Sequence, residues 1–183
     1  DGRTVTVDDV NDPPSFTPGA APTVLEDAGA QSLVSWATAI DDGDGGGQTL
    51  TFVVQGNSNP ALFADAPAIT PAGTLSFTAA ADANGSADIT IVLTDDGGTA
   101  NGGNDTSPPH TFTITVTPVN DAPDFTAANP PSVFQDSGPA EVAGWATFSP
   151  GPANESAQVA LEYQVSAISN GALGVKDGRI AYV

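Results

Sequence analysis

A chain of 183 residues with 22 Asp and Glu against 3 Lys and Arg carries a formal net charge of −19; it repels nucleic acid and anionic membranes and attracts divalent cations. Cysteine is absent, which removes disulfides, thiolate metal sites and cysteine nucleophiles. With 39% hydrophobic residues, 20 Gly, 16 Pro and almost no long helix-forming run, the composition is that of an ordered all-β protein, and no stretch approaches the roughly 20 apolar residues of a membrane-spanning helix.

The first residues, "GRTVTVDDV" (2–10), match "TFTITVTPV" (111–119), so residues 1–9 are expected to be the last strand of a preceding repeat. No charged-then-apolar leader precedes them, and the chain reads as an internal piece whose signal peptide lies elsewhere. Next comes "DDVNDPP" (8–14), which returns as "TPVNDAP" (117–123). Val10 and Val119, Asp12 and Asp121, and Trp36 and Trp145 are all 109 residues apart, the mark of an internal repeat.

Residues 10–119 form the complete copy. Apolar runs at Val24–Leu25 and Leu33–Trp36 are followed by "QTLTFVV" (48–54), by shorter runs at Leu62–Phe63 and Leu75–Phe77, and by "ADITIVLTDDGG" (87–98). In "HTFTITVTPV" (110–119), Phe112, Ile114 and Val116 alternate with Thr111, Thr113 and Thr115, the pattern of a strand with one face on a core and one in water. About seven strands separated by Gly, Asn, Asp and Pro clusters predict a β-sandwich. The glycine-rich "GGTANGGND" (97–105) reads as a long hairpin loop, without the Lys and helix of a phosphate cradle.

Residues 120–183 repeat the first part only. "SVFQDSG" (132–138) answers "TVLEDAG" (23–29) and "GWAT" (144–147) answers "SWAT" (35–38). "LEYQV" (161–165) answers "LTFVV" (50–54) and "GRIAY" (178–182) answers "GTLSF" (73–77), while nothing answers residues 79–118. Trp36 and Trp145 are expected in the core; a stacking platform for sugar rings is the alternative.

Acids gather at the loop ends of the complete copy: Asp8, Asp9, Asn11 and Asp12 in the first linker, Glu26–Asp27, Asp41, Asp42 and Asp44 in "IDDGDGGG", and Asp95–Asp96 in "TDDGG". Carboxylates without basic partners repel one another, and hard oxygen ligands suit calcium. The same "DDG" triplets also suit tight turns with no metal at all. "DVNDPP" resembles the inter-domain linker of cadherin repeats, "AIDDGD" their A-x-D-x-D segment and "LTDDGG" their A-x-D-x-G segment. In order and spacing the chain resembles a bacterial cadherin-like or immunoglobulin-like tandem repeat, VNDxP-linked, of large extracellular surface or adhesin proteins.

That resemblance implies tandem sandwiches, the second incomplete, with Ca2+ bound between neighbouring domains. The first junction would use Asp9, Asn11 and Asp12, then Asp41, Asp42 or Asp44, and Asp95. The second would use Glu26 and Asp82 with Asn120 and Asp121. It is poorer in acids, because Pro118 replaces the first linker Asp and "FSPGPANES" (148–156) keeps only Glu155.

Catalysis is not expected: there is one His, no Cys and no nucleophile elbow. The sequons at Asn84, Asn104 and Asn154 mark surface loops open to glycan attachment. The expected function is that of a calcium-stabilised extracellular repeat that stiffens or extends a large bacterial surface protein, its partners being neighbouring repeats. Two alternatives stay open, a filament subunit assembled by strand addition between copies and a module that binds cell-surface carbohydrate.

Overall fold

The computed structural model describes residues 9–129, 132, 138, 141–163, 173–176 and 179–182. The strand expected within residues 1–9 lies, apart from Asp9, outside them, as does most of "SVFQDSG". The protein is mostly β, and among the described residues no helix is long and apolar enough to cross a membrane. The chain divides into two compact units, Asp1–Val119 and Asn120–Val183.

The first unit contains β1 (Ser15–Thr17), β2 (Thr23–Leu25), β3 (Ala30–Leu33), β4 (Thr38–Asp41), β5 (Thr51–Asn57), β6 (Phe63–Ile69), β7 (Leu75–Ala79), β8 (Gly85–Thr94) and β9 (His110–Thr117). One sheet has the order β2-β9-β8-β5, a second the order β3-β7-β6, and β1 pairs with β4 alone. β2 runs parallel to β9, with Val24 opposite Val116, whereas the other pairings are antiparallel.

Strict alternation decides the register. β8 and β9 place Ile89, Ile91, Leu93, Phe112, Ile114 and Val116 on one face, all buried against Trp36, Phe52, Leu75 and Phe77. Slipping either strand by one residue would trade those side chains for threonines. The opposite face is polar, as in the hydroxyl contact of Thr90 with Thr111 at 2.9 Å. Full burial of each large apolar side chain stabilises the fold by about 1.5–3 kcal/mol.

Two apolar runs end differently from a plain strand. Leu33 closes β3, and the chain then turns through Ser35, whose φ of 57° lies in the left-handed region. That turn sends Val34 into solvent and drops the Trp36 indole into the core, its Nε1 donating to the Ala20 carbonyl at 3.0 Å. Leu62 closes a short 3-10 turn before β6, because Pro60 suits the start of a helical turn.

The second unit contains β10 (Asp124–Ala127), β11 (Glu141–Val142), β12 (Ala146–Ser149), β13 (Leu173–Lys176) and β14 (Arg179–Tyr182). β10 pairs with β12, and the other three form a sheet in the order β11-β14-β13. Part of the pairing repeats that of the first unit, although Ser15 faces Asp41 across a bulge where Asp124 faces Ser149 in regular register. Thr17 faces Thr38 in the first unit and Thr126 faces Thr147 in the second, both positions shifted by 109. Likewise Leu33 faces Leu75, and Val142 faces Ile180.

Truncating a fully buried side chain in the first unit tests this packing. Ile114→Ala should lower its unfolding free energy by about 2–5 kcal/mol in urea, whereas Val53→Thr, at a position 40% exposed, should change it by less than about 0.5 kcal/mol.

Candidate functional site

Before β1, the segment Asp9–Asp12 passes between two loops of the first unit, and Asn11 is the residue that ties it to both. Its Nδ2 donates to Asp95 Oδ1 at 3.0 Å and to the Asn104 carbonyl at 2.9 Å, while its Oδ1 accepts from Gln48 Nε2 at 2.7 Å. The Asn104 N–H returns a bond to the Asn11 carbonyl at 3.0 Å. One side chain thus spends both donor protons and an acceptor, which a carboxylate in its place could not do.

The next residue is held through its backbone. Asp12 N–H donates to Asp44 Oδ2 at 3.2 Å, and Gln48 Nε2 reaches the same oxygen at 2.9 Å. Asp9, Val10, Asn11, Asp44, Gln48 and Gly97 line a shallow cavity of about 200 Å3. Two acceptors at this clamp, Asp95 Oδ2 and Gln48 Oε1, are buried with no hydrogen-bond donor.

The loop that carries Asp44 and Gln48 is built by Asp42. Its Oδ1 accepts from the N–H groups of Asp44 and Gly46 at 3.2 and 2.9 Å, and its Oδ2 from that of Gln48 at 3.1 Å. These donors, Gln48 foremost and then Gly46, hold the Asp42 carboxyl below its ordinary 3.8 although burial opposes them. Asp41 caps the same loop at the Gly43 N–H, 2.8 Å away. Asp96 performs the matching task next door, where the Thr49 N–H at 2.7 Å is the main reason its carboxyl is also depressed.

Glycine is required where this loop pair meets the segment. A Cβ on Gly97 would overlap the Asn11 side-chain oxygen, and one on Gly43 would meet the Asp12 carbonyl at 2.9 Å. The "DG" pairs read as turns and as ligand loops are therefore also the gaps through which the segment passes.

Glu26, Asp82, Asn120 and Asp121 fall elsewhere. Glu26 is 3% exposed at the end of β2, its Oε1 accepting from the Val119 N–H at 2.8 Å and its Oε2 from Asn84 Nδ2 at 3.3 Å. Asp82 stands exposed two residues before Asn84, with a φ of 55°. Asn84 is thus engaged through the nitrogen that a glycan would need, whereas the side chains of Asn104 and Asn154 are exposed.

Asn120 and Asp121 belong to the second unit, and there the clamp is built again. Gln158 Nε2 donates to Asn120 Oδ1 at 2.9 Å, as Gln48 does to Asn11. Asp121 N–H donates to Glu155 Oε1 at 2.8 Å, as Asp12 does to Asp44. Glu155 is 6% exposed, its Oε2 has no donor, and a Cβ on Gly151 would overlap that oxygen. The sequence reading passed over Gln48, Gln158 and Gly97, and named Glu155 only as the acid that the second junction keeps. Aligned copies show the glutamines at nearly the same offset, but neutral amides do not advertise a charged site.

Among the described residues, no three His, Cys, Asp or Glu side chains converge closely enough to hold a metal ion between them. The clamp brings together two carboxylates, Asp44 and Asp95, and the amide oxygens of Asn11 and Gln48, with Asp9 on the wall of the shallow cavity beside them. Oxygen-only donors suit Ca2+ or Mg2+ and not a thiophilic metal. No protein-family model matches the chain, and no curated protein matches it significantly.

Gly97→Ala should cost about 1–3 kcal/mol, since the added methyl must displace the Asn11 amide; denaturant unfolding of the full chain measures it. Asp42 has a lowered folded pKa, so its contribution is complete above about pH 4 and is lost as pH falls through the folded value. Asp42→Ala should therefore melt earlier than wild type at pH 7 and lose less of its midpoint than wild type between pH 5 and 2.

Proposed function

We propose that the chain is a calcium-stabilised structural or adhesive repeat of a large extracellular surface protein, built from cadherin-like or immunoglobulin-like β-sandwich units. The observation that carries this reading is the pair of donorless buried oxygens, on Asp95 and Gln48, at the clamp of a molecule with a net charge of −19. Buried acceptors without donors cost free energy that a cation returns.

Support for the fold comes from the two sheets of the first unit, whose inward faces share one core, and from the parallel pairing of β2 with β9. The recurrence of strand pairings and of the clamp at the repeat offset supports tandem construction. On this reading Asp44 and Asp95 would hold the ion together with the Asn11 and Gln48 amide oxygens. When bound, it supplies positive charge that relieves the mutual repulsion of the carboxylates. Asn11 and the Asp12 N–H do the orienting, since they already fix the segment between the loops. Gln48 can turn its amide end for end and present Oε1 in place of Nε2, because both ends of the group are polar.

Such modules bind at about 10⁻⁴ to 10⁻³ M and fill outside the cell. The ion would then add to the hold on a segment that hydrogen bonds already fix, and would do so only after export, which suits a spacer that holds another domain away from the surface. The acidic exterior suits the same setting, since it keeps long arrays soluble and apart.

Thermal unfolding of the full chain with calcium and then with a chelator tests the reading. Calcium at 100 times the dissociation constant adds about 2.7 kcal/mol to the folded state, a rise in midpoint on the order of 10 °C for a domain of this size. Asp44→Asn combined with Asp95→Asn should remove most of that rise. Equal midpoints with and without the metal would take calcium out of the account.

A further inference from the structure

A chain of acceptors holds the Gln48 amide in one orientation. Asn11 Nδ2 faces the Asp95 carboxylate and the Asn104 carbonyl, groups that only accept, so Asn11 Oδ1 is the end turned to Gln48. That oxygen and Asp44 Oδ2 both require a donor. Gln48 Nε2 serves them with its two protons, at 2.7 and 2.9 Å. The other end of the same amide is a buried oxygen with no donor among the described residues. The orientation is therefore held by what the nitrogen gains, against what the oxygen loses.

The surroundings allow the amide to turn. Gln48 N–H donates to Asp42 Oδ2 at 3.1 Å, which anchors the main chain, while the terminal torsion of a glutamine is broad and two-fold. Gly97 keeps the space beside the amide open, since a Cβ there would meet Gln48 Nε2 at 2.7 Å. Turned over, Gln48 would set Oε1 against Asn11 Oδ1 and Asp44 Oδ2, three acceptors that need a cation among them. Gln158 makes the same donor contact with Asn120 Oδ1 at 2.9 Å in the second unit, so the amide donor is a recurring part of the clamp.

We propose that the Gln48 amide is a built-in competitor of the ion at this clamp. Its Nε2 protons hold Asn11 Oδ1 and Asp44 Oδ2 together while the clamp is free of metal, and the amide turns over to present Oε1 when calcium is supplied. This rests on the calcium reading above and adds to it the residue that sets the affinity. Two N–H protons neutralise the facing oxygens without a net charge, so the metal-free clamp stays closed instead of opening by repulsion. Ion binding then has to displace two hydrogen bonds before the third oxygen becomes available, which keeps the site weak. The two orientations of one amide are two states of the clamp, and calcium shifts their populations because it favours only one of them.

Calorimetric titration of the full chain with calcium chloride tests it. Gln48→Glu removes the competing donor and adds a ligand, so it should bind calcium at least about tenfold more tightly than wild type. In chelator its thermal midpoint should fall below that of wild type, because the facing oxygens then lack a donor. Thr49→Glu places the same charge at the adjacent exposed position and should leave the affinity nearly unchanged. In wild type, the assigned side-chain N–H resonances of Gln48 should shift in step with calcium binding, a readout that needs no variant to fold. Calcium binding that leaves those resonances in place overturns the proposal and leaves the calcium reading standing. So does a Gln48→Glu affinity no tighter than that of wild type or of Thr49→Glu. Binding by Gln48→Glu alone supports the competitor and removes calcium from the account of the wild-type chain. Binding by neither overturns both.

Discussion

The amide of Asn11 is the joint on which the first unit turns. It joins the segment ahead of β1 to the loops before β5 and after β8, three parts of the chain far apart in sequence. The position needs two donors and an acceptor within one planar group, which only a carboxamide offers, and Gln would carry it one methylene further out. The acceptor part of this constraint recurs between Asn120 and Gln158, while the Asn120 Nδ2 donates to the adjacent Asp121 carbonyl instead.

Charge is arranged around this joint in two roles. Asp42 and Asp96 accept backbone N–H groups, and those bonds keep their carboxyls ionised while shaping the loops. Asp44 turns both oxygens to the clamp, whereas Asp95 uses Oδ1 there and leaves Oδ2 buried without a donor. Stability from the first pair is intrinsic to the chain. Stability from the second pair depends on what neutralises it.

The second unit shows how far local instructions reach by themselves. β10 with β12 and the edge-on pair of Phe125 and Tyr163 form as their counterparts do. Yet Leu161, whose counterpart Leu50 packs on a core, is open to water. Hydrophobic burial is a property of the completed layer, so a side chain can be correctly placed and still lack the surface that would cover it.

Much of the fold was legible in the linear code because period-two alternation is a local property. Phe112, Ile114 and Val116 announce their face, and the 109-residue offset announces the repeat, without any knowledge of contacts. The carboxylates at loop ends were legible in the same way, as residue types in a pattern. What only the tertiary structure decided is the division of labour among them. Asp42 faces three N–H groups and Asp44 faces the incoming segment, although the two stand two positions apart and look alike in sequence. Glu155 does the work of Asp44 from within a segment of different composition. Hydrogen bonding between distant chain segments depends on direction and distance, and neither is written in a residue's identity.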